Sequence, residues 1–223
     1  PLDFLVVADH AENLGLQVRL DHDDPDLMAT ATGRRLAELQ KTDRRAVFAE
    51  VGRINQASDQ SLQQELNSDA IRGSFWKKTV ATADQYNQPG RFTALIGWEW
   101  SSMPNWANLH RVVFTSADAA TAGKFIPFSS IQSSRPEDLW RWLDQTSRDT
   151  GAQFVAIPHN SNMSNGTMFD IVDSDGKPLT ADYARDRARW EVVMEITQTK
   201  GTSETAPSLS PNDEFAAFEV RNK

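Results

Sequence analysis

Residues 134–158 read SRPEDLWRWLDQTSRDTGAQFVAIP. Ser134-Arg135-Pro136-Glu137 has the form of a capping box, and Leu139, Trp142, Leu143 and Thr146 follow at helical spacing. Gly151 is placed to stop that helix, and Gln153 to Pro158 (QFVAIP) is a continuous apolar run of strand length. A helix feeding directly into a buried strand makes the chain α/β.

The same pattern extends outward. Leu2 to Ala8 (LDFLVVA), Arg91 to Trp98 (RFTALIGW) and Leu109 to Thr115 (LHRVVFT) each predict a buried strand. The last two are joined by a short loop holding Pro104 and Asn105, so an antiparallel hairpin is expected between them. Residues 25–87 predict a helical insertion of three stretches, with Val47, Val51 and Ile54 at i, i+4 and i+7, ended by Gln88-Pro89-Gly90. An Arg-rich helix at Ala181 to Arg189, a strand at Glu191 to Ile196 and a final helix opened by Ser210-Pro211-Asn212-Asp213 complete the pattern. Together these predict a mostly parallel α/β sheet or barrel with one hairpin elaboration.

The chain has 223 residues, no cysteine, and 31 acidic against 23 basic side chains. The absence of thiols excludes disulfides, thiolate metal sites and a cysteine nucleophile. A net charge of −8 argues against nucleic acid as a partner, and no stretch has the apolar length of a membrane span. Seven acids lie in residues 1–26 against Arg19 alone, and residues 34–53 carry six basic and three acidic groups. Both are expected to be solvated surface. The chain opens at Pro1 with a core-like strand, which predicts an internal piece of a longer protein, its single domain (1–223) incomplete at both ends.

Three of the four histidines adjoin apolar strands: His10 after LDFLVVA, His110 before VVF and His159 after FVAIP. His22, inside Asp21-His22-Asp23-Asp24, is expected to be exposed. Strand ends line the functional face of parallel α/β folds. Glu99 ends the strand at 93–99 between Trp98 and Trp100, and Glu195 alternates with Val192, Met194 and Ile196. Nitrogen and oxygen ligands gathered at several strand ends suit Zn, Mn or Fe, so His10, Glu99, His110, His159 and Glu195 are candidate metal ligands, with Asp9 beside them.

Val7-Ala8-Asp9-His10, Gly97-Trp98-Glu99-Trp100, Asn108-Leu109-His110-Arg111 and Ile157-Pro158-His159-Asn160 occur in that order. With Ser161-Asn162-Met163-Ser164, Glu195-Ile196-Thr197-Gln198 and the stretch from Ser208 to Phe215, they resemble the PHP (polymerase and histidinol phosphatase) superfamily, in particular a bacterial PHP-like family of unknown function. The resemblance implies a distorted, TIM-like β/α barrel, here partial, whose strand ends hold two or three divalent ions that activate water for phosphoester or related hydrolysis. By motif it implies Asp9, His10 and Glu99 as catalytic residues and His10, Glu99, His110 and His159 as metal ligands. Glu195 belongs to the narrower family.

The chain departs from that pattern. PHP sites begin with a His-x-His pair and end with an Asp-x-His, and neither occurs here; Glu204-Thr205-Ala206-Pro207 has Ala206 where the narrower family tends to have His. These residues alone are therefore expected to bind metal weakly or not at all. Asn160, Ser161, Asn162 and Trp100 are placed to contact a small-molecule substrate, phosphorylated ones included, and the exposed edges of a partial barrel allow an oligomer. Cytoplasm and periplasm are both compatible with the sequence.

Two other readings compete. Ser101, Ser102, Ser161 and Ser164 lie near histidines, but a serine hydrolase lacks support without a Gly-x-Ser-x-Gly elbow. The seven tryptophans, three of them around Glu99, allow a non-enzymatic carbohydrate or small-ligand binding module.

Overall fold

The structure, a computed structural model, describes residues 2–56, 61–218 and 220. Its centre is a mixed four-stranded sheet in the order β1 (Phe4–Val7), β2 (Thr93–Trp100), β3 (Arg111–Thr115), β4 (Phe154–Pro158). β1 pairs parallel with β2, whereas β2–β3 and β3–β4 are antiparallel. The expected hairpin is present. The expectation of a mostly parallel sheet is corrected: β3 enters between β2 and β4 and reverses, because its link to β2 is too short for a crossover. β1, β2 and β4 still run the same way, so their C-terminal ends share one end of the sheet with the start of β3. Among the described residues the sheet is open, without barrel closure.

Side chains alternate across a strand, and the register sorts them onto two faces. One face holds Ile96, Trp98, Trp100, Val113, Phe154 and Ala156, all buried. Trp98 has no exposed surface, meets Trp76 and Trp142 edge to face, and donates its indole N–H to the Phe128 carbonyl at 3.1 Å. α6 (Asp69–Tyr86) packs on β2, and α8 (Pro136–Thr150) contributes Leu139, Trp140 and Leu143 to this core. The other face carries Val6, Leu95, Val112, Phe114, Val155 and Ile157, each only partly covered. Gly97 lies on it by necessity, since a Cβ there would meet Val6 Cγ2 at 2.5 Å and the Val113 carbonyl at 2.7 Å.

β1 is an edge strand, and Phe4, Leu5 and Val7 are exposed rather than buried as expected. Its apolar run reads like a core strand, but it pairs on one side alone, with β2, and its side chains stay largely open.

Among the described residues, 25–87 holds five helices rather than three: α2 (Pro25–Met28), α3 (Ala31–Thr42), α4 (Arg44–Gln56), α5 (Ser61–Asn67) and α6, preceded by α1 (Leu16–Asp21). Residues 57–60 of the insertion lie outside the described set. Asp24, Thr30 and Ser68 divide it by accepting hydrogen bonds from backbone N–H groups of α2, α3 and α6. These helices form their own core of Leu20, Leu27, Leu36, Val47, Ile54 and Leu66. Asp24, expected to be solvated, is instead buried against Arg19 at 2.8 Å.

Further differences lie in the second half. α8 starts on Pro136 with Arg135 as its N-cap, because proline suits the first helical position. Glu137 therefore binds Ser174 at 2.6 Å instead of closing a capping box. α9 (Ala181–Trp190) forms as expected. Glu191 to Ile196 is irregular, with Val192 and Val193 exposed, and strand pairing shifts to a small hairpin, β5 (Thr197–Gln198) and β6 (Gly201–Thr202). Residues 210–218 form turns where a helix was expected. No helix among the described residues is long and apolar enough to cross a membrane.

Candidate metal centre

The alternation that puts Val6, Gly97, Val112 and Ile157 on the partly covered face also puts His10, Glu99, His110 and His159 there, at one end of the sheet. Backbone pairing carries the register past the strand ends: His10 bridges Glu99, and the His159 N–H donates to the His110 carbonyl at 3.2 Å.

Glu99 is the hub. Its Oε2 lies 3.0 Å from His10 Nε2 and 3.4 Å from His110 Nδ1, and its Oε1 lies 3.2 Å from His159 Nε2. Ser101 Oγ donates to Oε2 at 2.7 Å. Burial pushes the Glu99 carboxyl up, but the hydrogen bonds from the three imidazoles outweigh it and hold it far below the usual carboxylate range. Burial pushes His110 below its ordinary value, so this imidazole is neutral at pH 7. With its Nδ1 hydrogen directed to Glu99, its buried Nε2 is a lone pair with no hydrogen-bond partner. His10 is the opposite case: the hydrogen bond to Glu99 raises its pKa, and Glu12 and Asp9 add to the effect.

One ligand atom each from Glu99, His110 and His159 lies within 4.8 Å of the other two. Two imidazoles and one ionised carboxylate form the donor set of an open, three-ligand zinc-type site, and the unpartnered Nε2 of His110 is a buried acceptor open to a ligand. The residues therefore fit a divalent ion. His10 stands outside the three-atom set, its side chain 63% exposed. It shares with His110, Ser101, Met103, Trp106 and Ile131 the wall of a cavity of about 450 Å³. A larger cavity, about 840 Å³ between α6 and α8, contains none of the candidate residues.

The other sequence candidates are placed differently. Asp9 is exposed and contributes its carbonyl to the Glu99 N–H at 2.8 Å. Glu195 lies outside the three-atom set; its Oε2 accepts from the Asn160 N–H at 3.0 Å and the Gln198 amide at 2.5 Å. Asn160 is fully buried, its side-chain amide donating to the Gly201 carbonyl, while that of Asn162 donates to the Lys200 carbonyl. Ser161 beside them is partly buried. The Asn160–Asn162 loop thus pins the β5–β6 hairpin. Trp100, placed by sequence in substrate contact, is fully buried and donates to the Ser133 carbonyl, because its position in the alternation faces the core. Of the seven tryptophans only Trp106 is exposed, at 69%. Ser102 is buried and donates to the Ser134 carbonyl.

Lys200 was not singled out from sequence. The β5–β6 turn buries it, with Nζ 3.1 Å from His159 Nδ1, and burial lowers its pKa. An ammonium has only protons to offer, so it makes Nδ1 an acceptor and leaves the ring hydrogen on Nε2, facing Glu99. The readable signal was Gly201, which marks a tight turn in Gln198-Thr199-Lys200-Gly201. Trp106, one of the three tryptophans that the sequence places around Glu99, has a backbone that the sequence does not announce. It and Asn105 take consecutive left-handed conformations (φ 64° and 50°), each costing about 1–3 kcal/mol.

No curated protein and no solved structure was found to match the chain. A family model does match, over residues 1–223, and the chain belongs to the family it describes, protein of unknown function (DUF3604).

Proposed function

We propose that Glu99, His110 and His159 hold a divalent ion, Zn, Mn or Fe, and that the protein is a metal-dependent hydrolase of phosphoesters or related bonds in the manner of the PHP superfamily. The observation that carries this reading is the convergence of an ionised, buried carboxylate and two imidazoles within 4.8 Å of one another, one of them, His110, with an unpartnered lone pair and lining the cavity. The partly covered sheet face supports the barrel reading, since the interior side of a β/α barrel is apolar in the same way.

A bound divalent ion supplies a water of lowered pKa and neutralises phosphoryl charge. The chain's own residues do the rest. Glu99 stays ionised and orients all three imidazoles. His110, neutral, offers nitrogen without first losing a proton. His10, its pKa raised and its ring open to the cavity, gives its Nε2 hydrogen to Glu99 and is placed to pass the Nδ1 proton of its protonated ring to a leaving oxygen. Asp9 and Glu12 keep that proton in place.

The test is hydrolysis of 4-nitrophenyl phosphate by protein supplied in turn with Zn, Mn and Fe. Turnover abolished by EDTA, and reduced about 100-fold or more in kcat by His10→Gln, is expected. Absence of EDTA-sensitive turnover with all three ions would overturn the hydrolase.

A further inference from the structure

The cavity beside the imidazoles has one wall whose construction the metal centre does not explain. Pro104, Asn105 and Trp106 form a single 3-10 turn in the β2–β3 loop, closed by the Ala107 N–H donating to the Pro104 carbonyl at 2.9 Å. Two consecutive non-glycine residues in this turn are left-handed, and the second is a tryptophan. A bulky side chain avoids that region unless its surroundings enforce it, and such outliers gather at ligand clamps. Here the outcome is an indole 69% open to solvent, in a chain whose other tryptophans are buried or partly buried. Met103, Ile131, His10 and His110 line the same cavity. An exposed indole in a cavity that a flexible methionine and an isoleucine also line suits the face of a ring.

We propose that Trp106 is the specificity wall of this site and that the substrate is an ester carrying a ring, stacked on the indole while its ester group meets the imidazoles. This rests on the hydrolase reading and adds the substrate class to it. The ring face could come from an aryl group or from a sugar; both present a flat or apolar side, and binding separates them.

The experiment is calorimetric titration, with zinc chloride present, of three non-hydrolysable probes: methylphosphonate, phenylphosphonate and a glucosylmethylphosphonate. Wild type, Trp106→Ala and Trp106→Phe are compared, with melting curves to show that each variant is folded. At least one ring probe is expected to bind about tenfold tighter than methylphosphonate, as stacking on an aromatic side chain supplies. That preference disappears in Trp106→Ala and largely survives in Trp106→Phe, while methylphosphonate affinity stays the same in all three. Whichever ring gains more identifies the source. Equal affinities for all probes, or a ring preference that persists in Trp106→Ala, would overturn the wall and leave the metal centre standing. Failure of every probe to bind would overturn the hydrolase reading, and the ring wall with it.

Discussion

Trp98 and Glu99 are neighbours on β2, yet they belong to different worlds. Trp98 faces a closed aromatic core with Trp76, Phe125, Trp142 and Phe154. Glu99 faces the partly covered side, where three imidazoles and a serine hydroxyl compete for its two oxygens. On the core side three indole N–H groups donate to carbonyls of the 122–133 segment: Trp76 to Ala122, Trp98 to Phe128 and Trp100 to Ser133. The other face leaves a buried lone pair on His110 unmatched. One face is organised for stability and the other for a ligand, and a two-residue period is all that separates them.

The division can be broken at its sharpest point by substituting each neighbour in turn. Trp98→Ala empties a fully buried site and is expected to cost about 3–5 kcal/mol in denaturant unfolding. Glu99→Gln keeps the shape but removes the charge; zinc affinity should fall at least about 100-fold, with a far smaller loss of stability. Equal stability losses in the two variants would mean the faces are not functionally distinct.

A smaller effect is expected at Lys200, which enters the polar face from the β5–β6 hairpin. Its ammonium holds the His159 hydrogen on Nε2, where a metal would have to bind. Lys200→Met lets that hydrogen move to Nδ1 and removes a competing cation, so zinc affinity should rise. A fall in affinity would instead make Lys200 a support for the His159 ring.

The smallest effect is the pH dependence of the metal-free protein. The His10–Glu99 pair raises the His10 pKa above its ordinary 6.5. Its contribution to stability is therefore complete below 6.5 and is lost as pH rises through the raised value. Because the His10 side chain is 63% exposed, the size should stay within the ~0–1 kcal/mol of solvent-exposed pairs. Melting temperatures across that window should show a step in wild type that His10→Asn removes; a step of the same size in the variant would assign it elsewhere.

Much of this was legible in the sequence because strand periodicity is local. The four sheet strands, the β2–β3 hairpin and the gathering of His10, Glu99, His110 and His159 all follow from apolar runs and the residues that end them. What was not legible depends on what lies over an element. LDFLVVA reads as a core strand and becomes an exposed edge, while Val192 to Ile196 alternates like a strand but makes only isolated backbone bonds, from the Glu195 N–H to the Pro158 carbonyl at 3.0 Å and from the Ser203 N–H to the Ile196 carbonyl at 2.9 Å. Trp100 shows the same limit: its neighbourhood to Glu99 suggested a binding role, and only the register reveals that it faces the core. Glu195, Asn160 and Asn162 were read as site residues, and they do gather near it, but as the fastening of the hairpin that delivers Lys200.

The most direct measurement is calorimetric titration of zinc into the metal-stripped chain, with His110→Ala alongside. A converged triad predicts one ion bound per chain with micromolar or tighter affinity, and loss of that binding in the variant. The missing His-x-His and Asp-x-His motifs predict weak binding or none, and wild type that takes up no zinc would contradict the metal centre proposed at Glu99, His110 and His159.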